Sequence, residues 1–296
     1  MKPWLTWILA AVLMALSAVV VTAIVSKRAP KAADLAPTDE LASTTELVDP
    51  DGNRSASLLS REKSLLAIRE LHALVDLDSS GGLDGVHFYE PVGLSDLGFA
   101  PRELVDSDLR LLAAFPELKQ LDIAGTSITD AGLKHLQGVN EIEKLDITST
   151  AITGHGLRSL TGMSRLRMLD LVDIPVDDSD LEFLRRFGEL RRLSISSPFV
   201  SDSGLQHLQR LGRLQTLYLG GLQLTDQGIR HLAKVPSLTH LTLDGVSVTD
   251  ASVPYFAKIP QLRSVHLRRT RITSEGATDM QSALPGCTVN RDVVYP

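Results

Sequence analysis

The chain has 296 residues, of which 43% are hydrophobic, and a formal net charge of −6. A chain of this length and apolar content can bury a large core. The negative charge argues against a nucleic-acid-binding protein, because phosphate contacts need a basic surface. A single cysteine, Cys287, excludes an internal disulfide framework, so non-covalent contacts must close the ends of the fold.

The chain begins with an uncharged, strongly apolar run of 22 residues, Trp4 to Val25. A helix of that length crosses a hydrocarbon layer of about 30 Å, and two tryptophans at its start, Trp4 and Trp7, suit a membrane interface. We therefore predict a transmembrane anchor in residues 1–28 that contacts the lipid bilayer. A cleavable signal peptide, with Val21-Thr22-Ala23 as processing site, is the alternative.

The flanking charges give opposing indications of orientation. Lys2 and the amino terminus face Lys27, Arg28 and Lys31 on the other flank, which mildly favours a cytoplasmic carboxyl side. A short amino-terminal tail ahead of a long domain is also the layout of an anchor that exports the domain behind it. We favour export, which predicts a single-pass membrane protein with an extracytoplasmic folded domain.

Residues 29–56 are rich in Ala, Pro, Ser, Thr, Asp and Glu without sustained periodicity, which predicts a disordered tether. Residues 57–93 come next, and near their start Leu65, Ile68 and Leu71 keep helical spacing. We interpret this segment as the amino-terminal cap of a repeat array, because the exposed core of a first repeat must be shielded.

A twelve-residue stretch, Asp76 to His87, matches the early positions of a calcium-binding EF-hand loop in its oxygen-bearing side chains and central glycine. Its last position is His87, where that loop needs a bidentate glutamate. A β-hairpin with strands Leu74–Asp78 and Leu83–Tyr89 explains the same residues. We favour the hairpin and predict neither a metal site nor a cofactor.

From Leu118 onward, an L-x-x-L-x-L spacing returns every 24 residues without insertion. The copies are Leu118/Leu121/Ile123, Ile142/Leu145/Ile147, Leu166/Leu169/Leu171, Leu190/Leu193/Ile195, Leu214/Leu217/Leu219, Leu238/Leu241/Leu243 and Leu262/Val265/Leu267. Each copy predicts one short strand, whose apolar residues point into a core and whose intervening residues point away from it.

Each strand is followed by a helix-start pattern in which an apolar residue precedes a side-chain cap. The caps are Thr129, Thr153, Asp177, Ser201, Thr225, Thr249 and Thr273. An aspartate that suits the helix dipole comes after five of them, at Asp130, Asp178, Asp202, Asp226 and Asp250. The predicted helices bury an i, i+3, i+6 set such as Leu133/Leu136/Val139, and one unit cannot bury that face alone, so the copies must stack.

The fixed period, the L-x-x-L-x-L strands and the T-D-x-G-L helix starts resemble the leucine-rich repeat family. The resemblance implies an α/β fold, a solenoid with a curved parallel sheet and convex-side helices, here behind an amino-terminal transmembrane helix. The pattern is most similar to repeats of bacterial envelope proteins and of the F-box-associated eukaryotic class. The latter implies a substrate receptor of a ubiquitin ligase, but this chain has a membrane segment where an F-box is expected.

Two features of the array leave alternatives open. Thr126, Thr150 and Thr270 fit the family's polar ladder, whereas other copies have apolar residues there, which predicts apolar packing of the central turns or their exposure to a partner. These copies are Ile174, Pro198, Leu222 and Val246. We count eight repeats in 94–285, with Leu94/Leu97/Phe99 as first strand, and a carboxyl-terminal half-repeat cap in 286–296. In the alternative, Val86 to Phe88 form the first strand and 89–104 are an insertion.

Enzyme signatures are absent from the sequence: there is no nucleophile elbow, zinc-binding pair or phosphate loop. Ser95 stands in a turn-like setting, but its leucine neighbours are better explained as core. His135, His207 and His231 share one repeat position, which indicates a helix flank rather than a metal site. We therefore predict a protein that is not an enzyme, although residues 76–104 leave a catalytic, metal-binding or glycan-binding role as a remote alternative.

Positions three, five and seven of the repeats form three columns on the predicted concave face. The middle column reads Asp122, Asp146, Asp170, Ser194, Tyr218, Thr242 and His266. Three adjacent aspartates would repel one another, and Lys144 in the next column can offset part of this. The polarity changes along the array, with Arg192 in its middle and His240, His266 and Arg268 toward the carboxyl end.

The concave face is the predicted site for a partner, because tyrosine and arginine contribute most at protein interfaces. The predicted contact residues are Arg192, Tyr218, His240, His266 and Arg268, with Asp122, Asp146 and Asp170 as an acidic lip. The sequence thus predicts a membrane-tethered, non-catalytic module that binds another protein and no nucleic acid. A structural envelope scaffold without a specific concave ligand, and a ubiquitin-ligase-like receptor, are the alternatives.

Overall fold

The computed structural model describes residues 53–71, 73–88 and 103–292, and within them ten strands form one sheet in chain order. The strands are β1 (Leu74–Leu77), β2 (Leu83–His87), β3 (Gln120–Asp122), β4 (Lys144–Asp146), β5 (Met168–Val172), β6 (Arg192–Ser196), β7 (Thr216–Gly220), β8 (His240–Asp244), β9 (Ser264–Arg268) and β10 (Thr288–Arg291). β1 and β2 are antiparallel, and each later neighbouring pair is parallel.

The 24-residue period of the sequence sets the pairing of neighbouring strands, because from β3 onward a strand residue lies opposite the residue 24 positions further along the chain. Gln120 of β3 lies opposite Lys144 of β4, and the same offset continues through β9. The apolar positions of each copy are buried, as at Leu118, Leu121 and Ile123, which are at most 2% exposed. The predicted parallel strands are confirmed, and each repeat adds one layer to a continuous core.

The strand before β3 in the sheet is β2, whose Val86 lies opposite Leu121. This arrangement agrees with the alternative in which Val86 to Phe88 form the first strand. Leu94, Leu97 and Phe99, which the 24-residue count places in a first repeat, lie outside the described residues.

The side of the solenoid opposite the strands consists mostly of short helical turns. The α-helices are α1 (Asn53–Glu70), α2 (Asp130–Leu133), α3 (Asp178–Leu181), α4 (Asp202–Leu205), α5 (Asp226–Leu232), α6 (Val253–Phe256) and α7 (Ser274–Ala283). 3₁₀ segments cover Asp106–Ala114, Lys134–Leu136, Gly156–Leu160, Phe183–Arg186, Gln206–Arg210 and Asp250–Ser252. A 3₁₀ helix has three residues per turn, so the i, i+3, i+6 apolar set falls on one side of it.

The predicted caps hold these turns. Thr129 Oγ1 accepts a hydrogen bond from the Ala131 amide at 3.2 Å, and the other six caps accept in the same way. The aspartate after the cap has a role that the sequence did not reveal, because it bonds the cap of the next repeat. Asp226 Oδ1 accepts from the Thr249 amide at 2.7 Å, and Asp226 Oδ2 accepts from the Thr249 hydroxyl at 2.8 Å.

We call this pair of hydrogen bonds the aspartate rung. The aspartates that form it are Asp106, Asp130, Asp178, Asp202, Asp226 and Asp250. The rung explains the glycine of the T-D-x-G-L pattern, because a Cβ added at Gly132 would lie 2.6 Å from Asp106 Oδ1.

One rung is missing, and three residues depart from the pattern together. The cap Asp177 has no hydroxyl to donate, so an aspartate before it would face a second carboxylate, and Gly154 stands there instead. Asp180 replaces the usual glycine, and a Cβ at Gly154 would lie 1.7 Å from its Oδ2. That oxygen accepts from the Asp177 amide at 3.1 Å, so a capping box within one repeat replaces the rung between repeats.

The ends of the array are closed by the hairpin and by α7 with β10. In the hairpin turn, Asp78 Oδ1 accepts from the amides of Ser80 and Gly82, both at 2.8 Å, so the predicted hairpin is confirmed. The other carboxylates of the EF-hand pattern bond elsewhere, Asp76 to His87 and Asp84 to Lys119. α1 buries Ile68 completely, and Cys287 is 4% exposed beneath the other end.

Three of the four central turns are packed by apolar contact, as one of the two alternatives predicted, whereas Pro198 is exposed. Ile174, Leu222 and Val246 are each less than 5% exposed, while Phe199 beside the Pro198 position projects outward and is 62% exposed. The helices within the described ranges are too short or too polar to cross a bilayer. The predicted anchor, Trp4 to Val25, lies outside those ranges.

We expect the three departures at the missing rung to be coupled in stability. Gly154→Asp alone should lower the free energy of unfolding by about 2–4 kcal/mol, because it places a second carboxylate against buried Asp180. The triple variant Gly154→Asp/Asp177→Thr/Asp180→Gly should rebuild the rung and unfold within about 1 kcal/mol of the parent. Urea unfolding midpoints measure both, and a triple variant as unstable as Gly154→Asp would contradict the coupling.

Candidate functional site

The sheet has one open face, made by the strand residues that alternate with the buried leucines; we call it the strand face. The register aligns the predicted middle column from Asp122 to His266 as successive partners. His87 and Asn290 extend it at the two ends. All eight residues predicted for the binding site therefore lie on one face.

The acidic lip forms a shallow cleft of about 140 Å³ that also includes His87, Lys144 and Met168. Asp122 and Asp146 each accept a hydrogen bond from an amide two residues on, at 3.0 and 2.9 Å. Lys144 Nζ donates to Gln120 Oε1 at 3.1 Å, on the neighbouring column. One oxygen of each of the Asp122 and Asp146 carboxylates is therefore held by the backbone, and all three aspartates of the lip are half-buried.

Asp170 is the most constrained carboxylate of the lip. Burial raises its pKa, and the neighbouring Asp146 and Asp122 charges raise it further, while a hydrogen bond from Ser194 and the charge of Arg192 act in the opposite direction. Ser194 is 7% exposed, so this bond lies beneath the surface of the face. Ionised Asp170 is thus held at a cost in free energy.

His87 belongs to the same cleft, although it was not predicted as a site residue. Its Nε2 lies 3.0 Å from Asp76 Oδ2, and its Nδ1 lies 3.7 Å from Asp122 Oδ2. The sequence did contain an indication of this position, because the alternative first strand, Val86 to Phe88, places residue 87 in the middle column.

Tyr218 is fixed by a buried aspartate that sequence reasoning missed. The Tyr218 ring leans along its strand onto Gly220, where a Cβ would lie 2.7 Å from the phenol oxygen. Gly220 pairs with Asp244 on the next strand, and the Tyr218 hydroxyl donates to Asp244 Oδ2 at 3.5 Å. Burial and the Asp244 charge raise the pKa of Tyr218, so the phenol stays protonated.

Asp244 is 3% exposed and is neutralised by two arginines. Arg269 Nε donates to Asp244 Oδ1 at 2.7 Å, and Arg268 Nη1 lies 4.0 Å from Asp244 Oδ2. The hydrogen bond from Arg269 is the main cause of the lowered pKa of Asp244. Arg268 also donates to Asp292 at 3.0 Å, so two carboxylates offset the two guanidinium charges.

The carboxyl-terminal half of the face is therefore less basic than the residue types alone indicate. The structure brings Tyr218 and Arg268 together through Asp244, while Arg192, His240 and His266 are exposed and stand apart from that cluster. Asp244 occupies position seven of its repeat, which is one of the three columns defined from the sequence. Its place on the strand face could therefore have been predicted.

No site for a metal was found among the described residues, where no group of three or more His, Cys, Asp or Glu side chains could hold an ion. Ser95, the remote candidate nucleophile, lies outside the described residues.

No protein-family model matches the chain, and no curated protein matches it significantly. Solved structures do match, among them the crystal structure of an internalin C2 from Listeria monocytogenes. The similarity has a TM-score of 0.52 and 20% sequence identity, and it covers 71% of this chain and 81% of that one. The chain has the leucine-rich repeat fold. In this fold the strand face is the inner face of the solenoid.

We expect Asp170→Asn to stabilise the leucine-rich repeat solenoid at about pH 7 by less than about 1 kcal/mol, the range for partly exposed charges. Because the pKa of Asp170 is raised in the folded state, its ionisation destabilises the fold as pH rises through that pKa. The gain should therefore shrink as pH falls toward the ordinary value of 3.8. Urea unfolding at about pH 7 and about pH 4.5 measures it.

Asp279→Asn, an exposed change on α7, serves as the control for this experiment. A gain from Asp170→Asn that is equal at both pH values would show that burial of the charge is not its cause.

Proposed function

We propose that the chain is a non-catalytic protein-binding module that holds its partner on the strand face and is tethered to a membrane by its amino-terminal segment. A leucine-rich repeat fold is suited to protein binding, because its frame is fixed by buried leucines while the outward residues vary freely. The observation that carries the proposal is the position of Tyr218, which is held by Asp244 at the middle of an open face.

The arrangement around Tyr218 favours a contact residue over a solvated surface residue. Its ring packs on Gly220 and its hydroxyl contacts Asp244, which is itself bonded to Arg269, so part of the side-chain freedom is already lost before a partner packs against the ring. A large, partly buried aromatic side chain with a polar tip is typical of interface hot spots.

Charge on one side of Tyr218 supports a partner with basic side chains. Asp122, Asp146 and Asp170 present carboxylates on the amino-terminal side, whereas the arginines near the carboxyl end are paired with aspartates. The carboxylates suit basic side chains of the partner, and this asymmetry would fix the direction in which a partner lies along the face.

Photocrosslinking tests the binding face. With a benzophenone amino acid at position 218 in the native host, we expect a discrete adduct with one protein, whereas the same probe at Lys134 on the helical side should give none. Once the partner is known, Tyr218→Ala should weaken binding by about tenfold or more, as for a hot spot of roughly 2 kcal/mol. Tyr218→Phe keeps the ring and should have a much smaller effect.

An adduct from position 134 alone would reject the strand face and favour the structural scaffold. Equal losses of binding with Tyr218→Ala and with Lys134→Ala would also contradict the proposed contact, because Lys134 lies away from that face.

Alkaline carbonate extraction of membranes tests the tether. The full chain should remain in the membrane pellet, because a run of 22 uncharged residues can span the bilayer. Leu13→Arg/Leu16→Arg should release it, since an arginine at the centre of a span costs about 2.5–3.5 kcal/mol on insertion scales. Release of the parent chain by carbonate would exclude a spanning anchor.

A further inference from the structure

Cations recur at one position on the helical side of the solenoid. Four successive repeats place a basic residue at the end of their helical turns, at Arg186, Arg210, Lys234 and Lys258. The two repeats that precede these four have glycine at the same position, Gly138 and Gly162. The cations are thus confined to the centre and carboxyl-terminal part of the array, in a chain whose net charge is −6.

Several cations elsewhere in the array are paired between repeats. Just before the strands, Arg165 and Arg167 bond to Glu141 and Glu143 of the preceding repeat at 2.6 and 2.7 Å, and Arg213 bonds to Glu189 in the same way. Each pair joins two adjacent repeats, so these charges contribute to the stacking of the repeats.

The cations on the helical side lack such pairing. Arg210 and Lys234 have no carboxylate partner within the described ranges, and Arg186 lies over its own Phe183 ring at 5.2 Å. Glu182, which lines a small space together with Arg210, bonds to Arg185 at 2.7 Å. Like charges in adjacent repeats repel one another, so stacking does not explain the row.

A groove of about 330 Å³ lies between two of these repeats and is lined by hydrogen-bond donors. Its lining residues are Gln206, His207, Gln209, Arg210, His231 and Lys234. Each of them can donate a hydrogen bond, and none is a carboxylate. A smaller space of about 110 Å³ adjoins the groove at His207 and Arg210, where Glu182 is already neutralised by Arg185.

We propose that this groove binds an anion that carries a phosphate group. A phosphate offers several acceptor oxygens and up to two negative charges, which matches a guanidinium, an ammonium, two imidazoles and two amides better than a single carboxylate does. Arg210 supplies the planar fork that suits phosphate oxygens, and Lys234 supplies a point charge from the next repeat. The phosphate belongs either to a lipid headgroup or to a soluble compound.

Calorimetric titration of the full chain in nonionic detergent tests the site with two probes. Tripolyphosphate represents a soluble phosphate, and dihexanoyl phosphatidylglycerol below its micelle concentration represents a lipid headgroup. We expect saturable binding of at least one probe, weakened about tenfold or more in Arg210→Ala/Lys234→Ala, because charged hydrogen bonds are lost.

The matched control is Arg165→Ala/Arg213→Ala, which removes the same charge from paired positions and should stay within about twofold of the parent. Dependence on Arg210 and Lys234 with tripolyphosphate alone supports a soluble ligand, and with the lipid probe a headgroup. Equal weakening in both variants, or no saturable binding of either probe to the parent chain, overturns the proposal.

Discussion

The aspartate rung is the directional contact on which the stacking of this solenoid depends. Burial of leucine and isoleucine drives the repeats together, but that force has no preferred direction. A carboxylate that accepts both the amide and the hydroxyl of the next cap fixes rotation and translation between neighbours at once. Where the rung is present, a helical turn receives its amino-terminal partners from two sources, its own cap and the preceding aspartate.

A frame fixed in this way leaves the outward residues free to serve other purposes. The leucines and the strand pairing, with rungs at all but one junction, hold β3 to β10 at the same offset, so a side chain at one repeat position meets its counterparts in the neighbouring repeats. This is how Tyr218 reaches Asp244, which lies one strand away and two residues further along. The same regularity aligns three aspartates in the acidic lip, where burial and mutual repulsion raise the pKa of Asp170.

The elements that depend on local pattern and the alignment of equivalent positions could be predicted from the sequence, whereas the side-chain hydrogen bonds between repeats could not. Leu121 and Ile123 alternate with polar residues, so the strand and its buried face were evident, and Thr129 showed its capping role by residue type. The aspartate rung joins residues 23 positions apart, and a helix-dipole explanation already satisfied the pattern at Asp130. Asp244 stood in a defined column, but nothing in its sequence neighbours indicates burial against Arg269.

The helical turns show why spacing alone was ambiguous. The spacing of Leu133, Leu136 and Val139 predicted one helix, but the structure places Leu133 in an α-helical turn, Leu136 in a 3₁₀ turn and Val139 after both. Departures from the repeat pattern were informative when they were considered together. Gly154, Asp177 and Asp180 depart at three positions: the two aspartates form a capping box that replaces a rung, and the glycine leaves room for Asp180.

Charge separates the surfaces of this molecule by their physical role. Arginines before the strands are paired with glutamates of the preceding repeat and so belong to the frame. Arg268 and Arg269 are paired with Asp244 and Asp292, which makes the centre of the strand face a neutral, ordered cluster around one tyrosine. Arg210 and Lys234 are in neither group. These two cations neither join adjacent repeats nor order a neighbouring side chain, yet their positive charges repel each other. A bound anion would remove that repulsion.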